Sequence, residues 1–173
     1  MKTVKPVFSF LLCCVLLSCF LVSCTSLSRA PRRIELVVDV AADANPNVRG
    51  RPSPVVLNVL QLTGDHRLVT ADYLALLHDP DAALQQTLAS AQKTLPIAPG
   101  DTNFTTLVIE KNVRYIGFVV ELARFDDVQN RIVIPIETAK ENGRIHIAIN
   151  RAGVQRVNTK TAPQQISRFN DGY

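Results

Sequence analysis

The chain has 173 residues, of which 47% are apolar, 6% aromatic and none tryptophan, and its formal charge is +4. The length bounds one domain with a proper core, and the thin aromatic content argues against a surface that stacks sugars or bases. The positive balance is no nucleic-acid signature: Lys2 and Lys5 belong to a removable N-terminal segment, and without them 17 basic side chains face 15 acidic ones.

That segment comes first. Met1-Lys2-Thr3-Val4-Lys5 is a short positive opening, and Val7 to Val22 is almost wholly apolar. An apolar run of about 16 residues is a signal-peptide core, shorter than the ~20 of a membrane-spanning helix. It ends in Leu21-Val22-Ser23-Cys24, a branched apolar residue and small residues before cysteine, the pattern of a bacterial lipobox. The expectation is a signal over residues 1–23, cleaved before Cys24, whose thiol carries diacylglyceryl and whose freed amine is acylated. Several chains on one residue anchor a protein stably, where one would be marginal. Thr25 follows, not the aspartate that retains lipoproteins in the inner membrane, which favours the outer membrane. All four cysteines (Cys13, Cys14, Cys19 and Cys24) lie in this region, so the body has no disulfide framework, no Cys-ligated zinc and no thiol nucleophile.

Residues 24–32 read as the lipidated N-terminus and a polar tether, and residues 33–160 as the domain. Ile34, Leu36, Val38 and Val40 alternate as one face of a first strand. Residues 41–54 hold three prolines and a glycine and form a loop that is long for neighbouring strands. Val55 to Leu62 is a strand apolar on both faces, hence interior or covered on its second side. A helical insertion is expected over about 70–90. Thr70 is a candidate cap, Asp79-Pro80 a second start, and Leu84 and Leu88 share one helical face. Strands return at Thr105–Glu110 and Val113–Arg124, the latter with Ile116, Phe118, Val120 and Leu122 on one face. A hairpin through Asp126-Asp127 leads to Arg131–Glu137. Asn142-Gly143 signals another hairpin, leading to Arg144–Asn150 with Ile145, Ile147 and Ile149 inward. Val154–Val157 makes a last short strand, and residues 161–173 a polar tail. Seven or eight short strands with one helical insertion make a mainly β fold, a two-sheet β-sandwich.

Chemistry is scarce. His66, His78 and His146 read as surface residues, with no HExxH and no histidine-carboxylate cluster. No G-x-S-x-G is present, Asp126-Asp127 reads as a turn pair, and the glycines are scattered. The expectation is no enzyme, no metal site and no cofactor beyond the lipid on Cys24.

Asn45-Pro46, then Gly50-Arg51-Pro52-Ser53-Pro54-Val55-Val56 running into Leu57-Asn58-Val59-Leu60-Gln61-Leu62, resembles the signature of the TssJ family (SciN/VasD-like), outer-membrane lipoproteins of the type VI secretion system. Ala71-Asp72-Tyr73, Pro99-Gly100 and Tyr115-Ile116-Gly117 match further family features, and the similarity spans about residues 33–149. Leu60, Asn58 and the stretch Val119–Phe125 depart from the family pattern. The resemblance implies a transthyretin-like sandwich with added helices, facing the periplasm from the outer membrane. It implies a structural role: docking the periplasmic C-terminal region of TssM, and through it TssL. It also implies that the loop after the first strand makes the contact, through Asp43, Asn45, Pro46, Asn47, Arg49, Gly50 and Arg51. No nucleic acid and no small-molecule substrate are expected. The rival reading is a periplasmic lipoprotein whose sandwich binds a small ligand or lipid.

Overall fold

A computed structural model describes residues 32–139 and 143–157. The chain divides into two units, Met1–Ala30 and Pro31–Tyr173, and all described residues lie in the second. The signal, Cys24, the tether up to Pro31, Asn142 and the tail lie outside the described residues.

The strands are β1 (Arg32–Val40), β2 (Val56–Leu62), β3 (Leu88–Lys93), β4 (Thr102–Ile109), β5 (Tyr115–Glu121), β6 (Arg131–Pro135), β7 (Arg144–Asn150) and β8 (Gly153–Arg156). Three short helices, α1 (His66–Thr70), α2 (Tyr73–His78) and α3 (Pro80–Leu84), stand between β2 and β3. The first sheet has the order β4-β1-β7-β8 and the second β3-β2-β5-β6. All neighbours are antiparallel except β1 and β7, which run parallel. The expected sandwich with a helical insertion is therefore the fold.

The two-residue period of each strand places its apolar set between the sheets. Ile34, Leu36, Val38 and Val40 of β1, Ile145, Ile147 and Ile149 of β7, and Ile116, Phe118 and Val120 of β5 are all buried in this one cluster. Each such side chain stabilises the fold by roughly 1.5–3 kcal/mol when fully buried.

The second apolar face of β2 also has its partner. Leu60 and Leu62, with Val119 of β5, meet Leu68, Tyr73, Leu76 and Leu84 of the helices in a separate buried cluster. The helices thus cover the outer face of the second sheet. Gly117 makes room for them: a Cβ there would come within 2.3 Å of the Leu68 Cδ2 atom. Arg131 holds the end of α1, donating from one guanidinium nitrogen to the carbonyls of Leu68 (3.1 Å) and Ala71 (2.6 Å). A cation suits a helix C-terminus, where carbonyls lack partners.

Three expectations need correction. The helical stretch ends at a 3-10 turn over Gln85–Thr87, and Leu88 begins strand β3. Ala, Ser, Gln and Lys are poor strand formers, but pairing with the edge of β2 satisfies their backbone, and tertiary context overrides propensity. Thr70 caps nothing: its hydroxyl donates to the His66 carbonyl, and Asp72 caps α2 by accepting from the Ala75 amide. The segment around Gly143 is no hairpin. It carries the chain from β6 in the second sheet to β7 in the first, where β7 lies parallel to β1. Gly143 has φ +61°, a left-handed conformation that its missing Cβ allows.

Candidate functional site

The loop between β1 and β2 is a built structure. Asn45 is only 7% exposed and has φ +48°. Its Nδ2 donates to the Pro54 carbonyl at 2.8 Å, and its Oδ1 accepts from the Ala123 amide at 2.7 Å. The first bond closes the base of the loop on itself. The second ties that base to the chain leaving β5. The Ser53 amide adds a bond to the Ala44 carbonyl at 3.3 Å.

Further out, Asn47 organises the tip. Its Oδ1 accepts from the amides of Arg49 (2.9 Å) and Arg51 (3.1 Å). Its carbonyl accepts from the Gly50 amide at 2.8 Å, and its own amide donates to the Arg51 carbonyl at 2.9 Å. Gly50 has φ +73°, which its missing Cβ allows. Asparagine side chains commonly make such local bonds to backbone two residues on. The tip is thereby held in one conformation while the side chains of Val48, Arg49 and Arg51 face solvent.

The expected contact residues separate into two groups. Asp43, Arg49, Gly50 and Arg51 are exposed, and Pro46 and Asn47 half-buried. Asn45 is buried: both ends of its amide bond inside the domain, so it positions the loop. Val48, which the polar reading passed over, is the most exposed apolar residue of the loop, at 93%.

A cleft of about 290 Å3 opens behind the loop. Asn45, Pro46 and Gly50 form one wall, and Leu122, Arg124, Asp127, Val128, Asn150 and Arg151 the rest. These residues come from three connections: β1–β2, β5–β6 and β7–β8. In sequence, Arg124 and Arg151 are isolated turn residues 27 positions apart, and no local signal joins them. Two open surface grooves of about 370 and 540 Å3 lie along β4 and β6. These grooves are no enclosed apolar chambers of the kind that holds a small ligand.

His146 has a partner that the sequence did not signal. It lies on the outer face of the first sheet, and its Nε2 is 2.5 Å from an oxygen of Asp39. Thr102 donates to the other oxygen at 2.7 Å. Burial pushes the Asp39 carboxyl up, but the bonds from Thr102 and His146 and the His146 charge outweigh it and hold the group below its usual range. Asp39 and His146 are 107 residues apart, so only the parallel pairing of β1 with β7 makes them neighbours. No group of three or more potential metal ligands forms among the described residues.

Comparison with known proteins follows the architecture. The chain resembles Serratia marcescens Lip, a membrane-bound component of the type VI secretion system, at 25% identity and a TM-score of 0.66, over 75% of this chain and 98% of that one. It shares the fold of the type VI lipoprotein TssJ1 from Pseudomonas aeruginosa (22% identity, TM-score 0.65, 73% of this chain and 95% of that one). It also shares the fold of a chain in the structure described as the TssM C-terminal domain from EAEC (15% identity, TM-score 0.60, 73% of this chain and 98% of that one). No curated protein matches the sequence. The model of the type VI secretion lipoproteins, which names VasD, EvfM and TssJ, matches residues 32–152. The chain belongs to that family of type VI secretion lipoproteins.

Proposed function

We propose that this lipoprotein is a structural part of the type VI membrane complex, anchored in the outer membrane by lipid on Cys24 and docking the periplasmic C-terminal domain of TssM through its β1–β2 loop, with TssL engaged through TssM. The observation that carries the reading is the loop itself: a tip locked by Asn47, latched by Asn45, and offering Val48, Arg49 and Arg51 to solvent. A rigid exposed tip loses little entropy on binding, and arginine with an apolar anchor is the composition of binding hot spots. Family membership and the fold shared with a chain of the TssM structure support the choice of partner.

Strand β1 gives the arrangement a direction. The chain enters the sandwich at Arg32 and leaves β1 at Val40, directly before the loop. The eight rises between these ends of the strand, at roughly 3.3 Å each, separate the two points by about 26 Å. The loop thus faces away from the end where the tether enters.

The test is a pull-down from detergent-solubilised membranes, with the full chain as bait for the TssM C-terminal domain. The combined variant Val48→Asp, Arg49→Glu and Arg51→Glu is expected to lose capture with an unchanged melting curve, since all three side chains are exposed. Cys24→Ser is expected to leave the membrane fraction yet still bind. Capture of TssM by the triple variant at the wild-type level would overturn the docking reading.

A further inference from the structure

The cleft behind the loop has chemistry that the exposed tip does not account for. Arg124 and Arg151 line it from separate connections, and both side chains are exposed. Among the described residues, neither has an ion-pair or side-chain hydrogen-bond partner. Asp127 lines the same cleft and also has no side-chain partner among the described residues, so the lining carries a net charge of +1. With Arg49 and Arg51 on the tip beside it, four guanidinium groups without a side-chain partner among the described residues gather at this end of the sandwich.

The walls are rigid. One is the loop base held by Asn45, whose bond to the Ala123 amide fixes the loop against the residue preceding Arg124. Another is the β7–β8 turn, where Asn150 Oδ1 accepts from the Ala152 amide at 2.8 Å across Arg151. The Gly153 backbone bridges to Gln129 on the chain that carries Asp127. Volume decides what fits: about 290 Å3 is at the lower limit of small-molecule pockets but holds one or two amino-acid side chains.

We propose that this cleft seats an acidic side chain, an aspartate or glutamate presented by a loop or chain end of the docked protein, with Arg124 and Arg151 as its charge partners. The proposal rests on the docking reading above and deepens it: the tip makes the first contact, and the cleft reads the partner's charge. Guanidinium groups bind carboxylates bidentately, which adds geometric selection to attraction. Asp127 in the same lining disfavours a second acid, and so narrows the seat to one.

The experiment measures affinity of the full, solubilised chain for the TssM C-terminal domain at about 50 and about 300 mM salt, where screening changes strongly. Arg124→Glu with Arg151→Glu is expected to weaken binding about tenfold or more at low salt and to flatten the salt dependence. Arg124→Gln with Arg151→Gln is expected to fall between that variant and wild type. Unchanged melting curves establish that the fold is intact. Wild-type affinity in the doubly charge-reversed variant would overturn the proposal while the tip variant, if it has lost binding, leaves the docking reading standing. Weakened binding with an unaltered salt slope would equally overturn it, because the contact would not then be ionic. If neither the cleft nor the tip variant changes binding, both readings fail.

Discussion

At the scale of single residues, Asn45 does most for the loop. Its amide joins Pro54 to Ala123, so it links two connections that are 78 residues apart. Asn45→Ala takes the side-chain partner from the part-buried Pro54 carbonyl and Ala123 amide and puts a residue without asparagine's local bonds at φ +48°. The expected loss is about 1–3 kcal/mol of unfolding free energy in a denaturant titration, with weaker TssM capture because the tip is no longer held. Asp39 gives a second residue-scale prediction. Its carboxyl is held below its usual range, so the stabilisation it supplies is complete above the unfolded pKa of about 3.9 and fades as pH falls through the folded value. Thr102→Val removes one of the bonds responsible. The variant should be less stable than wild type above the unfolded pKa of about 3.9, and the gap should close as pH falls through the lower folded value. The gap stays under about 1 kcal/mol, because the pair is partly exposed and screened. A gap that widens in acid would refute this account.

At the scale of elements, the helical layer is held by a few specific polar contacts. The Tyr73 hydroxyl donates to the Val120 carbonyl at 2.8 Å and accepts from the Leu122 amide at 3.1 Å, while its ring stacks on Phe125 at 4.6 Å. Tyr73→Phe keeps the ring and deletes both bonds, leaving the buried Val120 carbonyl short of one donor. An expected cost of about 1–3 kcal/mol should appear in thermal melts as a shift of several degrees. Between the sheets, Gln61 of β2 reaches across to β4 and the residue after it, donating to the Val108 carbonyl at 2.9 Å and accepting from the Glu110 amide at 2.8 Å. One buried glutamine thus blunts part of an open strand edge and joins the two sheets. Some of these elements were legible. Asp79-Pro80 read correctly as a helix start, because capping is local chemistry: the Asp79 carboxylate accepts from the Ala82 amide three residues on. Strand β3 was not legible. Its sequence Leu-Ala-Ser-Ala-Gln-Lys has no two-residue pattern of large apolar groups, and only its pairing with β2 makes it a strand.

At the scale of the whole molecule, the sandwich is asymmetric. The helices cover the outer face of the second sheet, and the outer face of the first carries the Asp39–His146 pair. The chain enters at the start of β1, and the candidate docking surface is built at the other end of that strand. What the sequence alone determined was the sandwich and its apolar faces. Strand periodicity and the two-sided apolar pattern of β2 are properties of consecutive residues, and burial follows from them directly. The family resemblance was legible for a related reason, since its motifs fall on the loop base, on Gly117 beneath Leu68 and on Tyr73, where the fold tolerates few alternatives. Only the tertiary structure decided the crossing at Gly143, the parallel β1–β7 pair, the inward role of Asn45 and the meeting of Arg124 with Arg151. Each of these depends on which strands become neighbours. That choice is made by burial summed over the whole chain, and no window of adjacent residues contains it.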